Sequence, residues 1–224
     1  MKRIQEDFKL KEDNIEPPDV YIGETLAKMK FDSGKYCWTI SLEQYVKAMV
    51  ANVEEDLARS GKIFPSKFVI PLSRNYATWL EDSLELTEDV VQRYQELIGQ
   101  LRWDVEIGRM DILLENFLLS IYLDMPRVGH LKQTFHIFGY LKAYPKRELI
   151  FDPAHPAINQ NRFHKCDWTE FYRYAEEAIP GNIPVARGNF MSTHCFVDAN
   201  HAGDTDTRQS QTTILIFLNS ALII

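Results

Sequence analysis

The pattern of apolar and polar positions predicts a β-hairpin and then an amphipathic helix in the first part of the chain. Residues 20–29 and 36–40 are typical of strands, and the turn between them contains Gly34, which tolerates a positive φ. Apolar side chains then recur every three or four positions along residues 41–61. This spacing predicts a helix that begins at an N-cap, Ser41, and ends near Gly61.

A mainly helical middle section is predicted after an extended stretch. Residues 62–86 show little periodicity and contain prolines, which favours a loop. Thr87 is a good N-cap for an apolar stripe that runs to Leu101, and Asp111 is a good N-cap for residues 112–123. A third stripe over residues 129–144 ends at a proline. Three helices with short joints are expected to pack on one another.

The last part of the chain predicts a connector and a second β-hairpin. Residues 152–189 contain prolines and glycines, and one short helix is predicted at 168–177. Apolar runs at 192–198 and 212–222 are typical of strands, and the turn between them carries Gly203. The whole pattern therefore predicts an α+β fold. The domain boundaries that it suggests are 1–61, 62–151, 152–189 and 190–224.

Composition and charge narrow the classes of function. The chain has 224 residues, of which 45% are hydrophobic, so it can bury a core. Its net charge of −7 argues against a strongly basic nucleic-acid-binding protein but leaves room for a local basic patch. Its three cysteines are far apart, which favours reduced thiols over a disulfide framework.

The two ends of the sequence predict an intracellular protein. The N-terminal stretch MKRIQEDFKLKEDN lacks the apolar segment of a signal peptide. The C-terminal stretch TTILIFLNSALII is shorter than the ~20 residues that span a bilayer. A membrane anchor is therefore not expected. No small-molecule substrate is expected either, since no Gly-x-Ser-x-Gly or phosphate-cradling glycine motif occurs.

Four separated stretches resemble one protein family, the copia-type retrotransposon polyproteins. The first two are similar to the family's Tyr-Leu-Gly strand and Leu-Ser-Gln-x-x-Tyr helix. The third resembles its Arg-Pro-Asp-Ile and Tyr-Leu-Lys block, and the fourth its Asp-Ala-Asp-Trp-Ala-Gly-Asp motif at the start of RNase H. In chain order the stretches are PPDVYIGETLAK, WTISLEQYVKAMV, RYQELIGQLRWDVEIGRMDILLENFLLSIYLDMPRVGHLKQTFHIFGYLK and VDANHAGDTDTRQS. The resemblance covers the segment from late reverse transcriptase into RNase H.

The resemblance implies a parent protein that copies RNA into DNA and hydrolyses the RNA strand with two magnesium ions. It assigns Asp198 as the first RNase H acid, and therefore as both a catalytic residue and a metal ligand. The chain departs from the family at Met110, Asn200, His201 and Gln209. The polymerase signature Tyr-x-Asp-Asp would precede residue 1, and the later RNase H acids would follow the last residue. We therefore expect this chain to bind no magnesium and to be catalytically inactive.

Basic and aromatic residues interleave in MPRVGHLKQTF and GYLKAYPKRE. In the family this block resembles the thumb and connection, which track an RNA–DNA or DNA duplex, whereas the alternative is a solvated helix face. Cationic side chains contact phosphates without regard to sequence. The side chains expected to touch phosphates are those of Arg127, His130, Lys132, Lys142, Lys146 and Arg147.

Two other interpretations remain open from the sequence. The chain is either a non-enzymatic duplex-binding or structural remnant that is stable by itself, or a pseudogene product that folds poorly. In the second case the apolar terminal strands would expose an edge that aggregates.

Overall fold

The α+β fold predicted from the sequence is confirmed. The computed structural model describes residues 19–64, 68–159, 161, 167, 169–171, 180–183, 188–200 and 210–223. Helices and two antiparallel sheets make up this part of the chain. The contacts divide it into two compact units, with described residues 19–150 in the first and 151–223 in the second.

The first unit contains a four-stranded sheet in the order β1-β2-β3-β4, whose first three strands precede the helices and whose fourth follows them. The predicted strand at 20–29 is interrupted, because Ile22 and Gly23 have φ of 51° and 86° and form a turn. Gly34, with φ of 81°, confirms the predicted hairpin turn. The fourth strand was not predicted. The strands are β1 (Val20–Tyr21), β2 (Glu24–Lys30), β3 (Tyr36–Ser41) and β4 (Glu148–Phe151).

Four α-helices lie in the described part of the first unit, and the sequence predicted all four. The second is six residues longer than its apolar stripe indicated. The predicted cap at Asp111 is wrong: this residue lies in a 3₁₀ turn, Met110–Ile112, and its carboxylate binds the Arg109 guanidinium instead. The helices are α1 (Glu43–Arg59), α2 (Glu88–Ile107), α3 (Leu113–Ser120) and α4 (Val128–Ala143).

The helices share one hydrophobic core, in which α1 packs against α4 and α2 packs against both α3 and α4. This core crosses the predicted boundary at residue 61, because α1 contributes to it as fully as the later helices do. Its fully buried side chains include Val46, Val53, Leu97, Leu101, Leu119, Ile137, Phe138 and Leu141.

The second unit contains a three-stranded sheet in the order β5-β6-β7, with β5 (Thr193–Asn200), β6 (Gln211–Leu218) and β7 (Ala221–Leu222). The predicted C-terminal hairpin is therefore present. Asn219 separates β6 from β7, which the sequence had joined, because its φ is 54°. The short helix predicted at 168–177 lies largely outside the described residues, and the turn at Gly203 lies wholly outside them.

None of the helices in the described ranges combines the length and the apolar character that crossing a membrane requires.

Candidate nucleic-acid interface

Asp198 lies near the end of β5, opposite Thr213 of β6, and its side chain is exposed. Two-magnesium catalysis needs several carboxylates that converge on the ions. Among the residues that the structure describes, no three His, Cys, Asp or Glu side chains are close enough to hold a metal. Asp204 and Asp206 lie outside those residues. The described donor set therefore does not fit a magnesium centre.

The sheet that carries Asp198 exposes apolar side chains on both faces. Phe196 is 45% exposed and its neighbour Val197 is 62% exposed. Adjacent residues of a strand point to opposite faces, so neither face of β5 is covered. In the described part of the second unit, only Asn219 and Ala221 are buried.

Arg127 and His130, at the N-terminal end of α4, make structural contacts. The Arg127 guanidinium donates to the Ser83 carbonyl at 2.6 Å and forms an ion pair with Glu85 at 3.3 Å. His130 is buried, and its Nδ1 accepts the backbone N–H of Arg127 at 3.0 Å. Its Nε2 therefore carries the proton and donates to the Thr78 carbonyl at 3.1 Å. The expectation that His130 touches a phosphate is wrong, since its ring is buried.

The predicted cations at the C-terminal end of α4 are exposed. The side chains of Lys142, Lys146 and Arg147 are each more than half exposed. Each also lies near a carboxylate: Lys142 binds Glu54, Lys146 lies 3.3 Å from Glu148, and Arg147 lies 3.9 Å from Asp111. Ion pairs this exposed contribute about 0–1 kcal/mol, so a phosphate can compete for the cations.

Lys132 faces outward from the middle of α4, and within the described ranges it forms no ion pair. It therefore belongs with the exposed cations of this helix. Lys146 and Arg147 follow the end of α4 at Ala143. We call the set Lys132, Lys142, Lys146 and Arg147 the α4 basic set.

The β2–β3 hairpin carries a second cationic surface that the sequence interpretation missed. Lys28 lies opposite Trp38 and Lys30 opposite Tyr36 in the strand register, so all four side chains share one face. The Lys28 ammonium lies 4.9 Å from the centre of the Trp38 ring, and that of Lys30 lies 5.7 Å from the Tyr36 ring. We call these four residues the hairpin face. The Lys-x-Lys and Tyr-x-Trp alternation was visible in the sequence, but the register that pairs them was not.

An ion pair in the joint between α2 and α3 is hydrogen-bonded to α4. Arg109 is 1% exposed, and its Nε and Nη2 donate to the two Asp111 oxygens at 2.8 and 2.9 Å. The Tyr140 hydroxyl donates to the same carboxylate at 2.9 Å. Burial by itself would raise the pKa of Asp111, but the hydrogen bond and charge of Arg109 outweigh it and hold that pKa below its usual value. The Arg-x-Asp motif therefore works here as a structural clamp.

Asp104 lies near this clamp but is not part of it. Its side chain is fully buried in α2, and neither carboxylate oxygen has a hydrogen-bond partner. Burial raises the pKa of Asp104 to about 7, and the charge of Arg109 offsets only part of that rise. The carboxyl group therefore loses its proton near neutral pH, and the buried charge that results destabilises the folded state.

No protein-family model, curated protein or solved structure matches this chain.

Proposed function

We propose that this chain is a segment of a copia-type retrotransposon polyprotein, from the end of reverse transcriptase into the start of RNase H. In this proposal the segment binds an RNA–DNA duplex and does not cleave it. The observation that supports duplex binding is the exposure of Lys142, Lys146 and Arg147 at one end of α4. Phosphate contacts by such cations position a protein on a duplex without reading its sequence.

The Arg109–Asp111 clamp is compatible with the same family, because both residues stand in its Arg-Pro-Asp-Ile motif. Met110 takes the place of the proline, and the 3₁₀ turn Met110–Ile112 forms with methionine there. The guanidinium still reaches the carboxylate two residues on.

Removing the three cations at the end of α4 should weaken duplex binding. The variant Lys142→Gln/Lys146→Gln/Arg147→Gln should bind a dye-labelled RNA–DNA hybrid on the order of tenfold more weakly, because the phosphates lose their counter-charges. Fluorescence anisotropy at low salt measures the affinity.

The matched control is Lys47→Gln/Arg59→Gln/Arg102→Gln. These three cations are also exposed, and each is paired with a glutamate one helical turn away. Both triple variants remove three positive charges, so the change in net charge is the same. The control should retain hybrid binding to within about twofold. Equal weakening in both variants would show that only net charge matters, and would contradict the proposed interface.

Asp198 should have no measurable catalytic role in this chain. The purified chain with magnesium should leave the RNA strand of a hybrid intact, since the described residues supply one carboxylate where the chemistry needs several. Gel analysis of a labelled RNA strand tests this. Magnesium-dependent cleavage that Asp198→Asn abolishes would sink the prediction.

The poorly folding product is the second candidate, and the exposed Phe196 and Val197 of β5 favour it. It differs from the first candidate in solution behaviour, because an exposed apolar strand edge promotes self-association. Light scattering of the purified chain separates the two.

A further inference from the structure

We infer that the hairpin face binds unpaired bases of single-stranded nucleic acid, with Tyr36 and Trp38 as stacking platforms and Lys28 and Lys30 as phosphate contacts. This inference rests on the proposal that the chain binds nucleic acid. It adds a second surface and a different substrate, a single strand in place of a duplex.

Exposure and rigidity make the two rings usable platforms. Tyr36 and Trp38 are 63% and 37% exposed, whereas the alternate residues Cys37 and Thr39 are buried on the opposite face of β3. β3 pairs with β2 along its whole length, Tyr36 to Ser41, and β4 lies on its other side. The rings are thus presented on a fixed backbone, and little ordering is required when a base stacks on them.

The spacing of the rings suits successive bases of an extended strand. Tyr36 and Trp38 are alternate residues of a strand, so their attachment points lie roughly 7 Å apart. One unstacked base can occupy each ring. Bases inside a duplex are already stacked and paired, and their faces are inaccessible to protein rings. The geometry therefore selects a single strand.

Charge complementarity indicates a polyanion rather than an apolar partner. Within the described residues, neither Lys28 nor Lys30 forms an ion pair, and Lys35 in the adjoining turn forms none either. The acids of the hairpin are Asp32 in the turn and Glu24, which is buried at the base of the sheet. Glu24 lies on the same side of β2 as Lys28 and Lys30 but is buried, so the exposed charged groups of β2 and β3 on this side are the two lysines.

The present cation–π contacts do not prevent stacking. An exposed contact of this kind is weak, so an incoming base can displace the ammonium from the ring. The four-carbon stem then lets the ammonium reach the phosphate of the same strand. Aromatic stacking and phosphate attraction are the two recurring components of sequence-tolerant single-strand binding.

Binding of a dye-labelled single-stranded oligothymidine to the full chain tests the inference. Trp38→Ala and Tyr36→Ala should each weaken binding on the order of tenfold, whereas Trp38→Phe should retain most of it, because a ring remains. Binding should also quench tryptophan fluorescence in the wild-type chain and much less in Trp38→Phe. Circular dichroism shows whether each variant remains folded.

Trp103→Ala is the matched control, since Trp103 on α2 is 42% exposed and lies outside the hairpin face. Its affinity should match that of the wild type. Absence of oligothymidine binding, or equal weakening by Trp38→Ala and Trp103→Ala, overturns the inference. If the wild-type chain bound oligothymidine but not the RNA–DNA hybrid, the proposed duplex function would be overturned instead, so the two failures are distinguishable.

Discussion

Replacing Arg109 by methionine should lower the free energy of unfolding by on the order of 3 kcal/mol, because the partly buried Asp111 carboxylate then loses two hydrogen bonds and the charge of its partner. The Arg109 side chain is 1% exposed and donates two hydrogen bonds to Asp111 and a third, longer one to the Pro145 carbonyl, whereas the Asp111 side chain is 26% exposed. The free energy of unfolding of Arg109→Lys should lie between those of the wild type and Arg109→Met, since lysine keeps the charge but cannot make the two parallel hydrogen bonds. Urea unfolding followed by circular dichroism at pH 7 gives the values.

Two further variants show whether the loss comes from the clamp. Arg102→Met removes an exposed ion pair on α2, the helix that precedes Arg109, and should cost less than about 1 kcal/mol. Adding Asp111→Asn to Arg109→Met should recover part of the loss, since the uncompensated charge is removed. A loss in Arg109→Met no larger than that in Arg102→Met would show that the clamp contributes little.

Asp104→Asn should stabilise the protein above pH 7 and have little effect near pH 4. The pKa of Asp104 is raised to about 7 in the folded state, whereas an unfolded aspartate titrates near ~3.9. Between these two values the folded protein keeps a proton that the unfolded chain has lost. Its free energy of unfolding therefore falls as the pH rises through this window, and it stays low above it.

The expected gain at pH 8 is up to about 4 kcal/mol, from roughly three pK units at about 1.4 kcal/mol each. Asparagine has nearly the same shape and no charge to bury, so the variant should lack this part of the pH dependence. Thermal or urea unfolding from pH 4 to pH 8 measures it. Asp89→Asn, an exposed site in the first turn of α2, is the control and should leave the slope above pH 5 unchanged.

If Asp104→Asn and the wild type show the same change in stability between pH 5 and pH 8, Asp104 does not hold a proton in the fold. Its burial would then be offset by groups other than those described around it.

Local patterns were sufficient to predict most of the first unit. Apolar spacing located the four helices, and Gly34 marked the hairpin turn that joins β2 and β3. These features depend on neighbours within a few residues, which a single sequence displays directly. The same reasoning missed β4, since Glu148–Phe151 is too short to show a period and forms only by pairing with β3.

The errors at individual residues came from long-range or competing contacts. Asp111 has the sequence signature of a helix N-cap, but the Arg109 guanidinium offers its carboxylate two hydrogen bonds and a charge. Ile22 is a strand former by preference, yet it takes a positive φ beside Gly23. At Ile22 the antiparallel pairing of β1 with β2 places a two-residue turn between Tyr21 and Glu24, and the turn requires the positive φ.

The candidate interfaces were only partly predictable for the same reason. The cations of the α4 basic set could be read from the sequence, but the contact of Lys142 with Glu54 could not, since Glu54 lies on α1. The hairpin face required the register of β2 against β3 before its lysines and rings could be paired. Asp198 was identified by resemblance alone. It is exposed in β5, and the described residues place no group of metal ligands around it.

The salt dependence of hybrid binding tests the central proposal most directly. Each phosphate that a cation neutralises contributes about −0.9 to the slope of log K against log salt for duplex DNA. We expect the wild-type slope to be more negative than that of Lys142→Gln/Lys146→Gln/Arg147→Gln by about 2 to 3. The control Lys47→Gln/Arg59→Gln/Arg102→Gln should keep the wild-type slope. Absence of hybrid binding, or a slope that these substitutions at the end of α4 leave unchanged, would contradict the account.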